Sequence, residues 1–217
     1  MKGNGLQRPG KIVCVGRNYA AHAKELGNTV PDKPLLFFKP PSSIIGDGET
    51  IVLPPFSRQV EHEGEVGVVI GTRLHNVDES AARKGIAGIT CVNDVTARDL
   101  QNSDGHWIRA KGCDTFCPWG PRIVPLPSLQ QLGKVEVICR VNGTERQRAR
   151  LSDMVFGIPY LVSYISQIMT LEPGDLIATG TPEGVGPLKP GDSVEVEVTG
   201  VGVLRNQVAG ASSEKQA

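Results

Sequence analysis

The sequence has no net charge: 23 lysines and arginines face 23 aspartates and glutamates. Such a balance provides no electrostatic footprint for nucleic acid, a membrane surface or a polyacidic partner, and none of these is expected. No apolar run approaches the length of a membrane-spanning helix. The N-terminal residues, MKGNGLQRPGKIV, lack the apolar stretch of a signal peptide, so the expected setting is the cytoplasm. Cysteine is sparse and unpatterned. Cys14, Cys91, Cys113, Cys117 and Cys139 are odd in number and contain no CxxC, which argues for reduced thiols. Internal repeats and linker-like stretches are missing too. Residues 1–208 therefore read as one domain, and the small polar residues 209–217 as a disordered tail.

Glycine and proline, by contrast, are plentiful, at 26 and 16 residues, and valine is frequent. Together they point to many short strands joined by tight turns. Strands are expected at Lys11–Val15, Leu35–Lys39, Thr50–Leu53, Val60–Val69, Ile86–Val92, Ser193–Val198 and Val203–Val208, with another at LIATG. Glu136–Val141 and Glu145–Arg150 flank Asn142-Gly143, a strong hairpin signal. Helices are expected at Tyr19–Leu26, closed by Gly27, at Val77–Lys84, capped by Asp78, and at Phe156–Ile168, whose apolar spacing suits core packing.

The chemistry centres on VEHEGEVGVV, residues 60–69. Glu63 and Glu65 are two apart, so a strand presents both on one face. Like charges that close call for a compensating cation or a shared proton. A hard divalent cation suits oxygen ligands, and Asp94, after the next strand-like run, offers a third carboxylate. An exposed strand of alternating charge would show the same pair, and a helix cap would explain Asp94 equally well. His22 and Glu25, three apart, share one face of the first helix. Lys111 lies in an apolar neighbourhood as either a positioned cation or a surface lysine. TPEGVGPLKPGD, rich in glycine and proline, is a loop whose backbone N–H groups can bind an anion.

These pieces occur in a specific order: VGRNYAAHAKELG, LFFKP, EHEGEVGVVIG, NDVTARDLQ, RAKGCDTFCPWGP, VNG followed by RQ, and GDLIATGTPEGVGPL. In that order the chain resembles the fumarylacetoacetate hydrolase family from about Lys11 to about Val208, and most of all its short acylpyruvate hydrolase and oxaloacetate decarboxylase clade. The resemblance implies a predominantly β, α+β fold of stacked mixed sheets with a few short helices, commonly as a homodimer. It implies Glu63, Glu65 and Asp94 as ligands of Mg2+ or Mn2+. It further implies a His22–Glu25 dyad on a short helix that orders over the substrate, and Lys111 as the active-site lysine. Arg17, Gln101 and Thr181 fall at substrate-contacting positions, Thr181 through its hydroxyl and nearby N–H groups. The implied activity is cleavage of a C–C bond in acylpyruvates, giving pyruvate and a carboxylic acid, with oxaloacetate decarboxylation possible at the same site. The alternative is a 2-hydroxymuconate-type isomerase or decarboxylase, or an oxaloacetate tautomerase. The segment NSDGH between Gln101 and Trp107 is shorter than the family pattern, which bears on the pocket wall and hence on the substrate.

Overall fold

The computed structural model describes residues 8–211. The first half runs β1 (Ile12–Gly16), α1 (Ala20–Glu25), β2 (Leu35–Lys39), β3 (Ile44–Ile45), β4 (Thr50–Leu53), β5 (Val60–His62), β6 (Gly64–Ile70), α2 (Glu79–Lys84), β7 (Ile86–Asn93), β8 (Thr96–Ala97), α3 (Arg98–Ser103) and α4 (Ile108–Lys111). The second half runs β9 (Cys117–Val124), α5 (Leu129–Leu132), β10 (Glu136–Val141), β11 (Thr144–Arg150), α6 (Ile158–Ile168), β12 (Leu176–Ala178), β13 (Gly186–Pro187), β14 (Ser193–Val198) and β15 (Gly202–Gly210). The architecture is predominantly β, as the sequence suggested.

A seven-stranded mixed sheet, ordered β2-β1-β12-β6-β7-β9-β3, carries the site. Its inner strands β1, β12, β6 and β7 are buried along nearly their whole length, while the edge strand β2 leaves Phe38 exposed. On β1 the alternation is visible in the packing: Val13 and Val15 join the main core, while Ile12 and Cys14 join a second cluster with Val92, Trp119 and Leu176. A five-stranded sheet, β11-β10-β14-β15-β4, adds Val137, Cys139, Val196 and Leu204 to the same main core. Helix α6 closes that core with Ile158, Leu161, Val162 and Ile165. Each such fully buried side chain contributes about 1.5–3 kcal/mol relative to exposure.

Local signals account for several boundaries. Asn142 and Gly143 take φ of 53° and 75°, the double positive φ of a type I′ turn between β10 and β11. Asp78 caps α2 by accepting the Ala81 N–H at 2.8 Å. Two expectations need correction. The strand expected over 60–69 is two strands, with a break at Glu63; β5 belongs to a three-stranded sheet with β8 and β13. Of the tail expected from 209, Ala209 and Gly210 belong instead to β15 and pair with Val52 and Leu53 of β4. Residues 212–217 of that tail lie outside the described residues. Among the described residues, no helix is long and apolar enough to cross a membrane.

Candidate active site

The antiparallel register of β6 and β7 sets Gly64 opposite Asn93. The flanking residues then meet: the Asp94 N–H donates to the Glu63 carbonyl at 2.9 Å. The Asn93 side chain accepts the Glu63 N–H at 3.0 Å, standing in for a sheet partner where the strand breaks. One carboxylate oxygen from each of Glu63, Glu65 and Asp94 lies within 4.8 Å of the others, and all three side chains are buried. The trio expected from the sequence is therefore assembled. Its i, i+2 pair converges across a strand break, though, and not along one straight strand.

Three cations are packed against this group. Lys111 Nζ donates to Glu63 Oε2 and Asp94 Oδ2, each at 2.7 Å, and is only 2% exposed. The surface-lysine alternative is thereby excluded. Lys39 Nζ, 1% exposed, donates to Asp94 Oδ1 at 2.5 Å and to the Val95 carbonyl at 3.0 Å. Arg98 donates to Glu63 Oε1 at 2.5 Å, to Glu61 Oε2 at 2.8 Å and to Gln101 Oε1. Lys39, Arg98 and Glu61 were not singled out from the sequence. Their charged partners lie 35 to 55 residues away, and the one sequence signal is the lysine that ends the apolar run LLFFK.

The electrostatics fit a divalent cation. Burial pushes the Glu63 carboxyl up, but Lys111 and then Arg98 more than reverse this and hold it well below the usual carboxylate range. For Lys111 burial acts downward, and Asp94 and Glu63 overcome it to lift the ammonium to about 12. Glu65 is different. Burial, then Asp94 and Glu63, push its carboxyl far up, and its hydrogen-bond donor is the Gly180 N–H at 2.8 Å. Four carboxylates (Glu61, Glu63, Glu65, Asp94) thus face three cations (Lys39, Arg98, Lys111), and Glu65 has no cation of its own among the described residues. A hard divalent ion held by Glu63, Glu65 and Asp94 would neutralise this excess and leave a net positive charge for an anionic substrate.

The His22–Glu25 pair stands at the rim. His22 Nδ1 lies 3.1 Å from Glu25 Oε2, and Glu25 Oε1 accepts the Gly184 N–H at 2.9 Å. The loop after β12 does bind anions, but they are the protein's own carboxylates, Glu65 through Gly180 and Glu25 through Gly184. Thr181 lines the cavity, yet its hydroxyl already donates to the Gly64 carbonyl at 2.9 Å and accepts from Gln147 Nε2 at 2.7 Å. The proton of this hydroxyl is thus used within the protein, at the Gly64 carbonyl.

All nine residues singled out from the sequence line one cavity of about 550 Å3: Arg17, His22, Glu25, Glu63, Glu65, Asp94, Gln101, Lys111 and Thr181. Phe37 and Trp107 form an edge-to-face pair in its wall, with ring centroids 5.2 Å apart, and Lys111 Nζ lies 4.9 Å from the Phe37 centroid. Asn102, from the short segment after Gln101, lines the same wall. Arg17 takes a φ of 58°, uncommon for a side-chain-bearing residue and frequent at functional sites. The next residue anchors this turn, because Asn18 bonds the Thr179 carbonyl at 2.8 Å and both polar backbone groups of Phe156.

Residues 11–209 match the family described as fumarylacetoacetate (FAA) hydrolase C-terminal. A mitochondrial oxaloacetate tautomerase of Arabidopsis thaliana is 46% identical over 202 residues, which cover 91% of this chain and 90% of that protein. A solved 5-carboxymethyl-2-hydroxymuconate delta-isomerase from Mycobacterium smegmatis is 47% identical with a TM-score of 0.87, covering 95% of this chain and 81% of that one. A fumarylpyruvate hydrolase from Pseudomonas aeruginosa, solved with Mn2+ and pyruvate, is 29% identical with a TM-score of 0.85, covering 94% and 91%.

Proposed function

The chain belongs to the fumarylacetoacetate hydrolase family, and from that premise we propose that it is a divalent-metal-dependent enzyme that hydrolyses a C–C bond in acylpyruvate-type 2,4-dioxo acids. The observation that carries the hydrolytic reading is the His22–Glu25 pair at 3.1 Å, on the rim of the cavity that holds the three carboxylates. Glu63, Glu65 and Asp94 would hold Mg2+ or Mn2+. When bound, such an ion supplies Lewis acidity toward the keto oxygen of a 2-oxo acid.

The chain's own residues supply the rest. With the Nδ1 proton held by Glu25, Nε2 of His22 is left as the base. It takes a proton from a water that attacks the distal carbonyl. The C–C bond then breaks, and its electron pair passes to the pyruvate fragment as an enolate. Lys111 and Arg98, held in place by their carboxylates, are fixed positive charges beside the group where that negative charge develops. The proton on His22 returns to the pyruvate carbon, and the products are pyruvate and a carboxylic acid. Arg17 lines the same cavity without an ion-pair partner among the described residues, so it is available to a substrate carboxylate. The reading includes a cytoplasmic homodimer as the working form.

A second reading is favoured by the 46% identity to a protein named as an oxaloacetate tautomerase and the 47% identity to one named as a muconate-type isomerase. Tautomerisation or decarboxylation needs proton transfer or an electron sink but no attacking water. Separate assays with acetylpyruvate and oxaloacetate discriminate: two fragments from acetylpyruvate support hydrolysis, and turnover of oxaloacetate alone supports the second reading.

A further inference from the structure

Gln147 of β11 reaches from the five-stranded sheet to Gly64, the first residue of β6 after the strand break at Glu63. It is 1% exposed, and all of its hydrogen-bonding capacity is used. Oε1 accepts the Gly64 N–H at 2.9 Å and lies 3.1 Å from His62 Nδ1. Nε2 donates to Thr181 Oγ1 and to the Pro182 carbonyl, each at 2.7 Å. Thr181 Oγ1 donates onward to the Gly64 carbonyl at 2.9 Å. A closed ring of three hydrogen bonds therefore holds both polar backbone groups of Gly64, the residue that separates Glu63 from Glu65.

Two glycines show how closely this ring is built. A Cβ at Gly64 would lie 2.9 Å from the Cβ of Cys139 on β10, so only a glycine lets the break rest against that strand. A Cβ at Gly184 would lie 2.0 Å from the carbonyl oxygen of Arg146, next to Gln147. The loop that ties down Glu25 is thus seated on β11 as well.

We propose that Gln147 is a positioning residue that sets the relative placement of Glu63 and Glu65 and, through Thr181 and Pro182, couples the metal ligands to the loop that holds Glu25. The physical reason is the strand break. A continuous strand would fix the two glutamates by its ladder of backbone hydrogen bonds. Where the ladder stops, a side-chain amide fixes them instead, and a buried network of this kind is rigid only when every member is satisfied. This proposal rests on the reading that Glu63, Glu65 and Asp94 hold a divalent ion.

The test titrates Mn2+ into EDTA-stripped wild type, Gln147→Met, Thr181→Val and the double variant. Free Mn2+ is followed by electron paramagnetic resonance, and metal-free melting is recorded for each protein. Gln147→Met keeps the side-chain length and removes the hydrogen bonds. The expected result is Mn2+ affinity at least tenfold weaker in each single variant, with the double variant little weaker than the worse single, because both break one ring. A merely structural residue would lower metal-free melting and leave the affinity of the folded protein unchanged; that result overturns the proposal, as does multiplication of the two fold-changes in the double variant. Should Gln147→Met not fold, Thr181→Val with wild-type affinity overturns it equally. If wild type itself takes up no Mn2+, the metal reading falls and this proposal with it. If wild type binds and both single variants bind as well, only this proposal falls.

Discussion

His22 and Glu25 are held together at 3.1 Å, and Glu25 is in turn held by the Gly184 N–H at 2.9 Å. The dyad is thereby fixed from two directions, by the short helix α1 and by the loop after β12. A base oriented in this way typically accounts for about 10²–10⁴ in rate. His22→Ala is expected to lower acetylpyruvate hydrolysis by about a hundredfold or more, while oxaloacetate turnover changes much less. Equal losses of both activities, at unchanged metal content, would contradict this division of labour.

Gly184→Ala tests the second anchor. The position has a φ of 92° and its Cβ would meet the Arg146 carbonyl, so the loop must shift. The expected outcome is a loss of about 1–3 kcal/mol in stability and a larger fall in hydrolysis than in Mn2+ affinity. Calorimetry and Mn2+ titration check both parts, and a variant with wild-type hydrolysis would show that the Gly184 contact is dispensable.

Glu65 gives a pH signature. Its carboxyl is raised in the folded metal-free protein by burial and by Asp94 and Glu63. The native state then binds a proton that the unfolded chain releases near pH 4.3, so this contribution falls as pH rises from there toward the raised folded value. Glu63 has the opposite sign: lowered when folded, it contributes stability that is present above the unfolded value and lost only as pH falls. In the metal-free protein the contribution of Glu65 to stability is therefore expected to fall as pH rises from about 4.3 toward its raised folded value, and in the metal-loaded protein it is not. Glu65→Gln should bind no divalent metal yet melt a few degrees higher than metal-free wild type at pH 7, since about 1 kcal/mol corresponds to about 2–4 °C at this chain length. An unchanged or lower melting temperature would mean that Glu65 has a compensating partner.

Lys111→Met removes one ammonium from two buried carboxylates, while Arg98 and Lys39 still bond their other oxygens. Breaking a buried pair from one side costs about 3–5 kcal/mol, and losing one preorganised charge at the developing enolate lowers turnover by about a hundredfold. Metal binding is expected to persist. Turnover at the wild-type rate, measured with saturating Mn2+, would remove Lys111 from its assigned role.

The sequence made the local features legible. The Asn142-Gly143 turn, the Asp78 cap and the apolar spacing of α6 depend on neighbours in the chain, and each is found where expected. Glu63, Glu65 and Asp94 were legible as candidates because two of them are neighbours and the third follows a strand. The break at Glu63 was not, since it depends on Asn93 and Gln147 supplying hydrogen bonds from 30 and 83 residues away. The same reason hides Lys39, whose apolar strand gives no hint that its ammonium meets Asp94. It also hides the commitment of the Thr181 hydroxyl, because a loop read alone looks rich in free donors. Strand β9 escaped because CPWGPRIV carries two prolines and a glycine inside a central strand.

The most direct test of the central claim is a paired assay on EDTA-stripped protein, with Mg2+ or Mn2+ added back and acetylpyruvate loss followed in the spectrophotometer. The expected result is no turnover without metal, recovery with it, and pyruvate and acetate formed in equal amounts. Full turnover in the stripped protein, or metal-restored loss of oxaloacetate with acetylpyruvate untouched, would contradict it.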